Sequence, residues 1–180
     1  MLLGAAAVAA GLGAAAAAGL LLGNEVGQRG VTGSGTVEET PMAGSAAPHL
    51  SGTDPVSGEA VRLSDFRGRT LVVTVWASWC PQCRRQAGPM QRFADKNRET
   101  AILGIDVQDD RVAAKDFVAA AHWTHPSIAD PDGRLSARLG VAELPTTYFF
   151  TRDHRLAATA SGYASLEELD AGLAQAEAAG

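Results

Sequence analysis

Cys80 and Cys83 are the two cysteines of this 180-residue chain, and they sit in the stretch Trp76-Ala77-Ser78-Trp79-Cys80-Pro81-Gln82-Cys83. The preceding run, Leu71 to Ala77, is β-branched and almost continuously apolar, as a buried central strand is. The following run, Pro81 to about Lys96, reads as a helix. Cys80 therefore falls at a helix N-terminus, where unpaired N–H groups and the helix dipole stabilise a thiolate. Its pKa is expected below the free-thiol value of roughly 8.5. Cys83, one turn on, points to the same side from a more buried position. Cys80 can attack a disulfide, and Cys83 can then resolve the mixed disulfide. Pro81 in the first helical turn gives up no useful donor. A structural disulfide of this spacing closes too short a loop to add much stability. A structural zinc site needs about four ligands, and there is no second cysteine pair. No metal site and no cofactor is expected.

The elements that must position this pair can be read around it. Leu50 to Thr53 and Ala60 to Leu63 flank the turn cluster Pro55-Val56-Ser57-Gly58 and predict a small hairpin. Ser64 and Asp65 open one helical turn that Gly68 ends. After the first strand and helix come a buried strand (Ala101 to Asp106) and an amphipathic helix (Asp110 to Ala121). A short strand (Ser127 to Ala129) and a short helix carrying Leu135 and Leu139 follow. Two strands, Thr146 to Thr151 and Ala157 to Ser161, are joined by Arg152-Asp153-His154-Arg155. Ser165 caps a last helix, with Glu168 completing a capping box. The order β-α-β-α-β-α-β-β-α, with an extra N-terminal β-hairpin, predicts an α/β fold. Its centre is a mixed β-sheet with helices on both faces. Pro89 is expected to kink the first helix.

Composition narrows the partners. Fifteen basic and twenty acidic side chains give a net charge of −5, spread along the chain. There is no basic patch to argue for nucleic acid. Residues 2–23 form an unbroken apolar run in which fifteen positions are Ala or Gly. As a hydrophobic helix it would span about 33 Å, near the roughly 30 Å of a bilayer core. Its Ala-x-Ala sites lie inside the run rather than after it, which favours an uncleaved membrane anchor over a signal segment. Residues 24–45 contain no aromatic residue and read as a flexible linker. The folded domain is expected over 46–180.

The stretch W-A-S-W-C-P-Q-C, together with Leu144-Pro145-Thr146-Thr147-Tyr148-Phe149, resembles the thioredoxin superfamily. The similarity is nearest to its membrane-anchored branch of TlpA, ResA and DsbE-like cytochrome-c-maturation proteins. Leu63-Ser64-Asp65-Phe66-Arg67-Gly68 and Asp130-Pro131-Asp132-Gly133 match the same branch. The resemblance implies a thioredoxin-like fold and an extracytoplasmic thiol–disulfide oxidoreductase. Such a protein is held to the cell membrane by residues 2–23, or secreted if they are removed. Cys80 would be the nucleophile and Cys83 the resolving thiol, with Trp79, Pro81 and Gln82 around them. Pro145 would be a cis-proline facing the disulfide. The backbone at Leu144 would pair with an incoming substrate strand, with Thr146 beside it. Partners would be the thiols and disulfides of exported proteins, with a membrane partner donating electrons. Two departures stand out. Reductive members of the branch often carry an acid three residues after the second cysteine, where this chain has Gln86. Thioredoxins proper carry a buried Asp where this chain has Thr74. Glu143, Asp153 or water remain as proton acceptors.

The resemblance favours a reductant; a disulfide-forming oxidant is the alternative. A copper-binding assembly protein on the same fold is the rival from another class. That rival uses Cys-x-x-x-Cys and a distal His, and soft Cu(I) would find only two thiolates here. His122 and His125 read as loop or surface residues, and His49 and His154 as solvated. Trp76 is expected to pack in the core and Trp123 in the core or a loop, and Arg84 and Arg85 to lie on the helix face beside the pair.

Overall fold

A computed structural model describes residues 42–180; the apolar run at 2–23, and the linker as far as residue 41, lie outside the described residues. Strand β1 (Ser51–Thr53) pairs antiparallel with β2 (Ala60–Arg62) as a two-stranded ribbon. A 3-10 turn (Leu63–Phe66) leads into β3 (Leu71–Trp76). Then follow α1 (Pro81–Lys96), β4 (Ala101–Val107), α2 (Arg111–Ala121), β5 (Ser127–Asp130) and α3 (Arg134–Arg138). The chain closes with β6 (Thr146–Phe150), β7 (Leu156–Ser161) and α4 (Leu166–Ala178).

The main sheet has the order β5-β4-β3-β6-β7. β3 pairs parallel with β4, and β4 with β5; β3–β6 and β6–β7 are antiparallel. The alternation of side chains along each strand assigns its two faces. Val72, Trp76, Ile102 and Phe149 meet Met90 and Phe93 of α1, Phe117 of α2 and Leu169 and Leu173 of α4. Leu71, Val73, Val75, Leu103, Ile105, Tyr148 and Phe150 face the other way, onto Leu50, Val61 and Leu139, with Leu135 of α3 against them. The central strands are buried on both faces, which explains why β3 and β4 read as continuous apolar runs rather than alternating ones.

Local chemistry fixes the helix starts. Asp110 caps α2 by accepting the N–H groups of Val112 and Ala113 at 2.9 and 3.1 Å. Ser165 and Glu168 form the capping box of α4. Helix α1 continues through Pro89 to Lys96 without interruption. Gly172 lets α4 close on the sheet, because a Cβ there would run into the Phe149 ring.

Candidate active site

The geometry begins at Trp76, the last residue of β3. It is fully buried, stacks on Phe117 at 4.7 Å between ring centroids and meets Trp123 edge-on at 5.3 Å. Its indole N–H donates to Ser127 Oγ at 3.3 Å. This bond spans Gly104, where a Cβ would collide with Ser127 Oγ and lie 2.7 Å from Trp76 Nε1. The end of β3 is thereby fixed from the side, and five residues later the chain enters α1.

Cys80 is the N-cap of α1, with Pro81 at the first helical position. Cys80 and Cys83 are disulfide-bonded, with Cα atoms 5.3 Å apart. The Cys83 backbone N–H donates to Cys80 Sγ at 3.1 Å. One of the orphan donors of the helix start is thus spent on the N-terminal sulfur. Both cysteines are buried in the disulfide form, Cys83 at 1% exposed slightly more than Cys80 at 3%. The asymmetry is electrostatic, because a sulfur at the cap receives a donor. Pro81 and Gln82 are exposed, and Gln82 Oε1 accepts from Arg85 Nη1 at 2.8 Å. Arg85 also lies over the Tyr163 ring, 4.9 Å from its centroid. Trp79 is 56% exposed, with its indole N–H on the Gln108 carbonyl at 3.2 Å. That leaves a large apolar ring standing in solvent beside the disulfide.

Leu144–Pro145 is a cis peptide bond. The β3–β6 register sets Val75 opposite Thr146, so Pro145 is level with Trp76 at the end of β3 from which the cysteine turn departs. Pro145 is buried and Leu144 partly so, with Leu144 packed against both core clusters. Leu144 stands outside the strand ladder. Thr146 lies inside it, opposite Val75 on one side and Ser161 on the other, and its hydroxyl donates to the Glu143 carbonyl at 2.7 Å.

The positions that depart from the thioredoxin pattern are occupied structurally. Gln86 is buried; its Oε1 accepts the Ala164 N–H at 2.7 Å and its Nε2 donates to Thr147 Oγ1 at 3.2 Å. Thr74 is buried in β3. Glu143 precedes the cis bond, and its carboxylate lies over Gly162. Asp153 sits in the β6–β7 turn, at the far end of β6 from Pro145, which removes it as a proton acceptor for this pair. His125 lies in the loop between α2 and β5, as expected, but its ring is turned inward. Both ring nitrogens are buried without a partner, and burial pushes its pKa down to about 4. His154 is half-buried, its Nε2 3.2 Å from the Phe66 carbonyl.

Two carboxyls escaped the sequence reading. Asp109 accepts the Ser78 N–H and the Ser78 hydroxyl, the latter at 2.7 Å, and so holds the residue two before Cys80. Asp106 is 4% exposed at the end of β4, opposite Trp76. Its pKa is pushed up to about 8, first by burial and then by the adjacent Asp109. The available signal was a lone acid inside the apolar run A-I-L-G-I-D-V. Among the described residues, no group of three His, Cys, Asp or Glu is placed to hold a metal. No described helix is long and apolar enough to cross a membrane.

Known proteins similar to this chain bear on its chemistry. Over 153 residues the chain is 28% identical to the thiol-disulfide oxidoreductase ResA of Bacillus thuringiensis subsp. konkukian, covering 84% of this chain and 88% of ResA. It is 38% identical over 87 residues to the thiol:disulfide interchange protein DsbE of Pseudomonas fluorescens biotype C, 48% of each chain. The structure of a DsbF homologue from Corynebacterium diphtheriae superposes with a TM-score of 0.68 at 26% identity, covering 76% of this chain and 92% of that one. The Redoxin family matches residues 42–173, the span that carries the cysteine turn, the cis-proline and the sheet joining them. By that match and by its ResA- and DsbE-like relatives, the chain belongs to the Redoxin family of the thioredoxin superfamily.

Proposed function

We propose that this protein exchanges thiols and disulfides with exported proteins on the extracytoplasmic side of a membrane, running chiefly as a reductant. The coarser statement, a thiol–disulfide oxidoreductase, rests on one observation. Cys80 and Cys83 share the start of α1, with the Cys83 N–H on Cys80 Sγ. The relatives' names agree with it.

In the reductive direction Cys80 Sγ, as thiolate, attacks one sulfur of a substrate disulfide. The S–S bond breaks and the leaving sulfur departs as a thiolate that takes a proton. Cys83 then loses its proton and attacks Cys80 Sγ, which releases the second substrate thiol and closes the Cys80–Cys83 disulfide. Two electrons and two protons reach the substrate. A membrane partner would return them, consistent with an apolar run at residues 2–23. Exposed Trp79 and the ladder-free Leu144 beside cis-Pro145 suit an extended peptide laid across the disulfide. Gln86 speaks for the oxidant alternative, since its amide is committed to Ala164 and Thr147 and takes no proton.

The reduction potential separates the two directions. A value near that of thioredoxin, about −270 mV, supports the reductant; one near about −120 mV, as for a strong periplasmic oxidant, overturns it.

A further inference from the structure

Three carboxyl groups surround Asp106: Asp109 and Asp130 near the C-terminal ends of β4 and β5, and Asp54 on the first residue of β5. Each of the three accepts from two or more donors. Asp54 accepts from Val56, Ser57 and Ser127 N–H groups, and Asp130 from Leu135 and Ser136. Asp109 accepts from Ser78 N, Ser78 Oγ and Asp110 N. Asp106 is the exception: it is buried, and its Oδ1 has no partner. Its neighbour Asp109 is close enough for a hydrogen bond between the two side chains. Two adjacent carboxyls in a buried site cannot both be ionised cheaply, so they hold one proton between them. The donor pattern places that proton on Asp106, because Asp109 must accept from Ser78.

We propose that Asp106 is a positioning residue for the redox turn: protonated, it donates to Asp109, which then clamps Ser78 and sets the approach of the chain to Cys80. The proposal rests on the oxidoreductase reading. The clamp closes from both sides. Arg84 Nε, on α1, donates to the Ser78 carbonyl at 2.8 Å, and the Cys80 N–H donates to Ala77 O at 3.2 Å. Loss of the Asp106 proton sets two carboxylates against each other, and Asp109 is the one able to move, since it is only partly buried. The charged groups that face this pair are Asp130 from the end of β5 and Asp54 from the loop after β1. Arg84 of α1 and Asp116 of α2 line the cleft beside Ser78. Burial and the neighbouring acids raise the Asp106 pKa into the range where such a switch is felt.

The test follows the Ser78 amide by NMR in the full oxidised chain as pH is raised. It also follows the disulfide-exchange rate, corrected for thiolate fraction. In the wild type the Ser78 amide should shift with a midpoint near pH 8, and the corrected rate should fall about fivefold across it, the effect of about one hydrogen bond. In Asp106→Asn, whose amide donates at every pH, both changes should vanish. Asp109→Asn should show the slower rate at every pH. If it fails to fold, Ser78→Ala removes only the hydroxyl contact and should still slow exchange. A Ser78 titration that persists in Asp106→Asn overturns the proposal, as does a wild-type rate in Ser78→Ala. The NMR arm needs no substrate. A chain without exchange activity therefore defeats the oxidoreductase reading alone, whereas a flat Ser78 amide beside full activity defeats the clamp alone.

Discussion

Gln86 and Ala164 are tied together across the interior: the Gln86 Oε1 accepts the Ala164 N–H at 2.7 Å, joining the active-site helix to the loop before α4. Its amide nitrogen reaches Thr147 on β6 at 3.2 Å. One side chain thus holds the cysteine helix against the strand that follows cis-Pro145.

Replacing Gln86 with Leu should be costly. It strands the buried Ala164 N–H and the Thr147 hydroxyl at once. Each unsatisfied group costs about 1–3 kcal/mol, so a loss of about 2–6 kcal/mol is expected. Urea unfolding of the oxidised protein measures it. A change within the error of the wild type would show that the two bonds contribute nothing.

Gly104 should not tolerate a side chain. A Cβ there meets Ser127 Oγ and Trp76 Nε1, the two atoms of the bond that holds the end of β3. Gly104→Ala should destabilise the fold by about 1–3 kcal/mol, the usual range for overpacking. It should also shift the buried-tryptophan emission. Unchanged emission and midpoint would mean that the sheet relaxes freely here.

Stability should fall between pH 6.5 and about 8. Asp106 has a folded pKa raised from 3.8 to about 8, so the folded state keeps a proton that the unfolded chain releases. Its contribution is full below about pH 4 and drains away as pH rises to 8. His125 has a folded pKa lowered from 6.5 to about 4, so its contribution is full above 6.5 and is lost as pH falls toward 4. Between those values the two slopes oppose each other; above 6.5 Asp106 acts alone. The slope there should stay below the one-proton limit of about 1.4 kcal/mol per pH unit. Asp106→Asn should flatten it. An equal slope in the variant would assign the loss to other groups.

The residues that were legible in the sequence are those whose local pattern decides their structure. The continuous apolar runs gave β3 and β4. Ser165 with Glu168 gave the start of α4, and Cys80-Pro81 gave the start of α1. Pro145 was readable through its L-P-T-T-Y-F context, and the cis bond is there. What stayed hidden depends on partners far along the chain. Ser78 and Asp109 are 31 residues apart, and Gln86 and Ala164 are 78 apart. No spacing rule predicts such pairs. His125 shows the same limit: a loop position says nothing about the Trp123 ring that it lies against, 4.7 Å away. Cys83 is the more buried cysteine, as its place one turn into α1 implies, but the cover over both sulfurs comes from distant parts of the fold and has no local signal.

The most direct measurement is the capture of disulfide partners by Cys80 and Cys83 variants of the full chain, read as mixed disulfides on non-reducing gels and assigned by mass spectrometry. The N–H of Cys83 on Cys80 Sγ assigns attack to Cys80 and release to Cys83. Cys83→Ser should accumulate mixed disulfides through Cys80, while Cys80→Ser should capture none and turn over nothing. Equal capture by the two variants, or none by either, would contradict the account.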